Sequence, residues 1–190
     1  MRAAEVLLEA IQMVKLAPQL FAPHPKQISS DFTITENFAL KPPASRWTST
    51  ARQTDQGFTS AWVEWALSEM PGWVGEEGIL FNVSPGANIL VINSDQNAVE
   101  IAQHYGVEIK NQIDLFTRMP WELIAKDYDA VNHKPVNRSS DIYMRSWDVE
   151  STAWFNTNVL INPKKVVIDR PVKYAAPDKK QPRYMSRRRR

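Results

Sequence analysis

Two apolar runs of six residues, GILFNV over 78–83 and NILVIN over 88–93, stand four residues apart, with Ser84-Pro85-Gly86-Ala87 between them. Runs of that length carrying Ile and Val fit a pleated, buried surface, and a Ser-Pro-Gly cluster is turn chemistry. The pattern predicts two strands around a turn. Strands consecutive in sequence usually pair, so the two are expected side by side in one sheet.

Helical patterns surround this pair. RAAEVLLEAIQMVKL (2–16) spaces Leu7, Ile11 and Val14 along one helical face and meets its first breaker at Pro18. Pro18, Pro23 and Pro25 then read as a linker, with a short strand possible at FTIT (32–35). Thr59 or Ser60 can cap a helix over AWVEWALSEM (61–70), which Pro71-Gly72 stops. Ser94 or Asp95 can cap QNAVEIAQHY, whose Ala98, Ile101, Ala102 and Tyr105 share a face and whose end is marked by Gly106. Pro120 suits the first position of a helix over 120–127. Further strands are expected at YDAVNH (128–133), TAWFNT, NVLIN and KVVID (165–169). Helices and strands do not alternate regularly, and there is no Gly-rich nucleotide loop. An α+β fold with a mixed, mostly antiparallel sheet flanked by helices is therefore expected. The chain divides into an N-terminal helix and proline linker (1–29), one domain (30–170) and a basic tail (171–190).

Composition narrows the chemistry. No cysteine is present, so disulfides, thiolate metal sites and cysteine nucleophiles are excluded. The three histidines, His24, His104 and His133, form no metal-binding spacing, so no metal is expected; His104 and His133 read as structural. No stretch approaches the roughly 18–20 apolar residues of a membrane span, and Glu5 and Glu9 interrupt the apolar N-terminus, so a cytoplasmic location is expected. Charge is unevenly spread. Residues 164–190 hold eleven Lys/Arg against two Asp, while residues 1–163 carry net −7. Such a tail can follow phosphates without reading sequence, or can simply be solvated.

Two clusters could carry chemistry. In Trp147-Asp148-Val149-Glu150 two carboxylates at i and i+2 enter a strand, which would put both on one face. Paired acids suit acid–base work or the stabilisation of positive charge; hydrated acids on an exposed edge are the plain alternative. In Arg46-Trp47-Thr48-Ser49-Thr50 an anion-binding fork and a ring precede three hydroxyls. An ordinary hydroxyl-rich loop is the alternative there. Seven tryptophans are many for this length, and Trp62 and Trp65, three apart on one helix, read first as core.

The order of these parts resembles the ADP-ribosyltransferase family. Thr48-Ser49-Thr50 is similar to that family's Ser-Thr-Ser segment, and Asp148-x-Glu150 to its late acidic pair. The departures are three: there is no Tyr-Arg-Gly opening, Arg46 directly precedes the hydroxyls, and Asp stands where Glu or Gln is usual. The opening MRAAEVLLEA also resembles uncharacterised proteins of tailed bacteriophages, which would place the chain in host cytoplasm or virion. The first resemblance covers 30–169 and implies a split sheet, NAD as substrate and a protein or nucleic-acid acceptor. It implies that Glu150 holds the ribose 2′-hydroxyl and stabilises an oxocarbenium-like state, and that Asp148 orients or deprotonates the acceptor. Thr48, Ser49 and Thr50 would shape the pocket and position Glu150, Arg46 would contact the pyrophosphate, and Trp47 would stack on a ring. The competing expectation is a non-enzymatic nucleic-acid-binding or virion-associated phage protein that acts through its basic tail, with nucleic-acid contact through residues 164–190.

Overall fold

A computed structural model describes residues 16–22, 42, 46–134, 142–145 and 147–170. The expected helix over 2–16 (all but Leu16, which is not helical), the strand FTIT, most of the loop after His133 and the basic tail lie outside the described residues. Nine strands are described: β1 Gln19–Phe21, β2 Arg46–Thr50, β3 Arg52–Thr54, β4 Gly57–Thr59, β5 Glu77–Val83, β6 Ile89–Ile92, β7 Ala130–His133, β8 Ser151–Trp154 and β9 Leu160–Val167. The helices are α1 Ala61–Glu69, α2 Asp95–His104, α3 Gln112–Arg118, α4 Trp121–Asp127 and α5 Ile142–Arg145. Seven strands form one sheet in the order β6-β7-β8-β2-β1-β5-β9, and β3 and β4 form a separate hairpin. Only β6 and β7 pair in parallel within the large sheet. The chain is thus α+β with a mostly antiparallel sheet.

The helix signals act as their chemistry dictates. The Ser60 and Ser94 hydroxyls accept from Val63 N–H and Asn97 N–H, capping α1 and α2. Gly106, at φ 77, follows the end of α2 in the left-handed region. Pro120 stands just before α4 rather than inside it. The helix α3, capped by Asn111, had no counterpart in the sequence expectations.

Three expectations need correction. GILFNV and NILVIN are both strands, β5 and β6, but they are not neighbours. Four strands, β7, β8, β2 and β1, lie between them. Each finds a longer-range partner instead: β5 pairs with β1 and β9, and β6 with β7. The stretch expected as a proline linker supplies β1, which sits between β2 and β5. Four residues between Pro18 and Pro23 are too few to show a period. Residues 160–162 of NVLIN and 165–167 of KVVID lie in one strand, β9, continuous across Pro163, and Asn158 and Val159 form part of a 3-10 turn before it. A shift in its pairing with β5, together with the left-handed Asn162, absorbs the irregularity, and a sheet edge tolerates the proline.

Alternation along the strands sorts the core. Leu90, Ile92, Val131 and Ala153 face α2 to α5 in one cluster with Trp121, Tyr143, Met144 and Trp147. Leu20, on the same face by register, joins α1 in a second cluster with Val63, Ala66, Leu67 and Ile168. The intervening residues point the other way. Ile89, Ala130 and Trp154 meet Phe81 and Leu160 in a third cluster on the opposite face. Phe81 of β5 and Ile89 of β6 belong to one cluster that runs across the sheet, with Ala130, Trp154 and Phe21 on the strands between them. No described helix is long and apolar enough to cross a membrane.

Candidate functional site

The face that carries the third cluster changes character along its length. Near Phe21, Ala130 and Trp154 it is apolar; two residues further along each strand it carries Gln19, Asn132 and Thr152. These polar residues, with Thr48 and Thr50, converge on Glu150, the residue immediately before β8.

The Glu150 carboxylate accepts four hydrogen bonds from the chain. Oε2 takes Ser49 Oγ at 2.7 Å and Thr50 N–H at 2.9 Å. Oε1 takes Asn132 Nδ2 at 2.8 Å and Thr50 Oγ1 at 3.1 Å. Ser49 Oγ also lies 2.9 Å from the Glu150 carbonyl. Ser49 and Thr50 point to opposite faces of β2, yet both reach the same carboxylate. This is possible because Glu150 stands at the strand end, past the last paired residues Thr48 and Thr152. Three strands, β2, β7 and β8, therefore meet at one carboxylate, and Ser49 and Glu150 are 101 residues apart in sequence.

The network continues inward. Asn132 Nδ2 donates to Thr152 Oγ1 at 2.8 Å as well as to Glu150. Gln19 Nε2 donates to Ala17 carbonyl at 3.1 Å and, more distantly, to Thr50 Oγ1 at 3.4 Å. Thr48 Oγ1 donates to Gln19 Oε1 at 2.8 Å and accepts from Trp154 Nε1 at 2.7 Å. Gln19, Thr48, Asn132 and Thr152 are buried, so leaving any of them unbonded would cost about 1–3 kcal/mol. Satisfied in this way, they fix the side chains around Glu150.

The residues singled out in the sequence separate into three groups. Ser49, Thr50 and Glu150 are brought into contact, and Thr48 stands two bonds behind Thr50 through Gln19. Asp148 corrects the expectation that both acids ride one strand face. It precedes β8, is exposed, and has φ 54, in a tight turn where Val149 N–H donates to Trp147 carbonyl. Arg46 and Trp47 are directed elsewhere. The Arg46 guanidinium lies 4.6 Å from the Phe21 ring centre and 4.8 Å from that of Phe81. Burial there lowers its pKa to about 10. It is four residues from Thr50, about 13 Å along an extended strand. Trp47 packs on Trp147, ring centres 5.2 Å apart, against the first core cluster. Trp62 and Trp65 pack against the second.

Two contributors escaped the sequence reading. Asn132 did carry a signal, a polar residue inside the otherwise apolar AVN stretch of a fully buried strand. Gln19 carried none, because its strand was not recognised. The two histidines stand where the sequence put them, at a strand end and on a helix: His133 is buried and stacked on Trp147 with ring centres 4.0 Å apart, and His104 lies in the last turn of α2.

What the arrangement can do follows from its charge. A half-buried carboxylate, fixed in place by the chain and open on one side, can stabilise positive charge that develops beside it without rearranging. No family model, curated protein or solved structure matches the chain.

Proposed function

We propose that the protein transfers ADP-ribose from NAD to a macromolecular acceptor, or hydrolyses NAD, with Glu150 as the charge-stabilising residue. One observation carries the reading: the hydroxyl segment of β2 and the acid before β8 meet, with Ser49 and Thr50 holding the Glu150 carboxylate. That contact is what the resemblance in the sequence requires of Ser49 and Glu150, and it joins residues a hundred positions apart.

In this reading the bond between nicotinamide and ribose breaks before the acceptor bond is complete. Positive charge builds on the ribose carbon and ring oxygen. Glu150 accepts a hydrogen bond from the ribose 2′-hydroxyl and stabilises that charge, and nicotinamide departs with the bonding electrons. The acceptor nucleophile, or water, attacks the ribose carbon from the opposite face, and its proton passes to the Asp148 carboxylate or to bulk water. Asp148, exposed two residues away, is the acceptor-side group, where its carboxylate can orient an incoming nucleophile without competing for the ribose.

The test is NAD carrying a label on the adenylate half, incubated with the protein and cell lysate. Free nicotinamide is measured alongside labelled protein and labelled nucleic acid. Transfer or hydrolysis that falls about 10²–10³-fold in Glu150→Gln, per folded molecule, supports the reading. A wild-type protein that consumes no NAD with any acceptor sinks it.

A further inference from the structure

An ionised carboxylate offers about four lone-pair positions in its plane. At Glu150 all four are taken by the chain: Ser49 Oγ and Thr50 N–H on Oε2, Asn132 Nδ2 and Thr50 Oγ1 on Oε1. A ligand hydroxyl that is to bond this carboxylate must therefore replace one of them. The four are not equally replaceable. The Thr50 N–H belongs to the backbone of β2 and cannot turn away. Ser49 and Asn132 are 1% and 3% exposed, so nothing from solvent reaches their side of the carboxylate first. Thr50 is half-buried, its hydroxyl contact is the longest of the set at 3.1 Å, and a hydroxyl proton turns about one bond. Its oxygen also has a second neighbour, Gln19 Nε2 at 3.4 Å, which can hold it after it releases Glu150.

We propose that the Thr50 hydroxyl is a placeholder, occupying on Glu150 Oε1 the position that a ribose hydroxyl of the substrate takes. This rests on the reading of Glu150 as the ribose-holding carboxylate, and adds a specificity-determining residue to it. Without ligand, Thr50 keeps the carboxylate fully bonded and correctly turned. With ligand, the ribose hydroxyl donates to Oε1 and the Thr50 proton redirects. Binding is thus weakened by the bond that must first be broken, and only a ligand with a donor at that position recovers it. A hydroxyl-bearing sugar is selected over one lacking the hydroxyl.

The experiment measures the dissociation constant of NAD, and of NAD lacking the 2′-hydroxyl on the nicotinamide ribose. The proteins are wild type, Thr50→Val and Thr50→Ser. Val keeps the branched shape and removes the donor; Ser keeps the donor. Thr50→Ala replaces the Val variant should that one fold poorly, which thermal unfolding reports. Thr50→Val is expected to bind NAD about 3- to 10-fold more tightly, the worth of one ordinary hydrogen bond. Thr50→Ser should match wild type, and the deoxy analogue should gain nothing from Val. If wild type binds NAD and Thr50→Val binds it equally or more weakly, the placeholder is wrong while the NAD reading stands. An equal gain for the deoxy analogue also overturns it. If wild type binds neither ligand, the NAD reading itself falls and takes the placeholder with it.

Discussion

At Glu150 only one donor cannot reverse its role: Thr50 N–H faces Oε2, whereas the Ser49 and Thr50 hydroxyls can turn and the Asn132 amide can flip its oxygen toward Oε1. Glutamine at this position keeps its oxygen on Thr50 N–H and points its NH2 at Asn132, which must flip and turn its own NH2 away from both Oε1 and Thr152. Glu150→Gln is therefore expected to lose about 1–3 kcal/mol of stability, because that buried NH2 loses the partners it had. Adding Asn132→Asp restores the match, since a carboxylate at 132 accepts from the glutamine amide and the Thr152 hydroxyl can turn to donate. The double variant should recover most of the stability lost by the single one and none of the proposed NAD turnover, because the charge now sits on β7. Denaturant unfolding of the two single variants and the double one measures the coupling. Additive losses would show that the Asn132–Glu150 bond contributes little.

Among the secondary-structure elements, α5 shows how a segment too short to be stable alone is held. A helix of four residues cannot persist by propensity. Here the Asp95 carboxylate, in the first turn of α2, accepts from the backbone N–H groups of Tyr143 and Met144 at 3.2 and 3.0 Å. Asp95→Ala should cost about 1–2 kcal/mol, in the range of a lost helix cap, and lower the melting temperature by several degrees. A change within a degree would mean that Trp147 and Tyr143 packing alone holds α5. The same elements show what a sequence can convey. Ser60 and Ser94 announced α1 and α2 because a cap is a local bond, three residues long. The hydroxyl segment and Glu150 were visible by residue type. Their joint role with Asn132 and Gln19 was not, because register between distant strands leaves no local trace. For the same reason β5 and β6 were recognised as strands yet wrongly paired, their true neighbours lying far off in the chain.

For the molecule as a whole, pH reads the burial of Tyr143. Burial raises its phenol well above the usual value near 10; a hydrogen bond with Trp147 works weakly against this, and the Asp95 carboxylate adds to it. The folded chain then holds a proton that the unfolded chain gives up above pH 10. The stability this represents is fully present below pH 10 and is lost as pH climbs beyond it, by about 1.4 kcal/mol per pH unit. Tyr105 and Tyr128 shift in the same direction, also chiefly by burial, but are more open to solvent and contribute less. Arg46 acts oppositely, since its lowered pKa of about 10 lets the folded chain shed charge first. Tyr143→Phe isolates the one group. The stability difference between wild type and this variant should be flat to about pH 9.5 and then move in favour of the variant. A difference that stays constant to pH 11 would show that Tyr143 ionises without unfolding the chain.

The 101-residue separation of Ser49 and Glu150 also governs when the protein acquires its chemistry. Contacts that close so long a stretch form late, after local helices and hairpins. Synthesis adds about 5–20 residues per second, so at least five seconds separate the appearance of the hydroxyl segment from that of its acid. During that interval the growing chain holds the β2 hydroxyls with no carboxylate to position. A ribosome that has made β2 but not yet Glu150 therefore carries no assembled site, and a proteolytic cut between the two followed by loss of either piece removes it. Competence arrives in one step, with the last strands, and the hydrogen bonds that position the acid report that the sheet has closed.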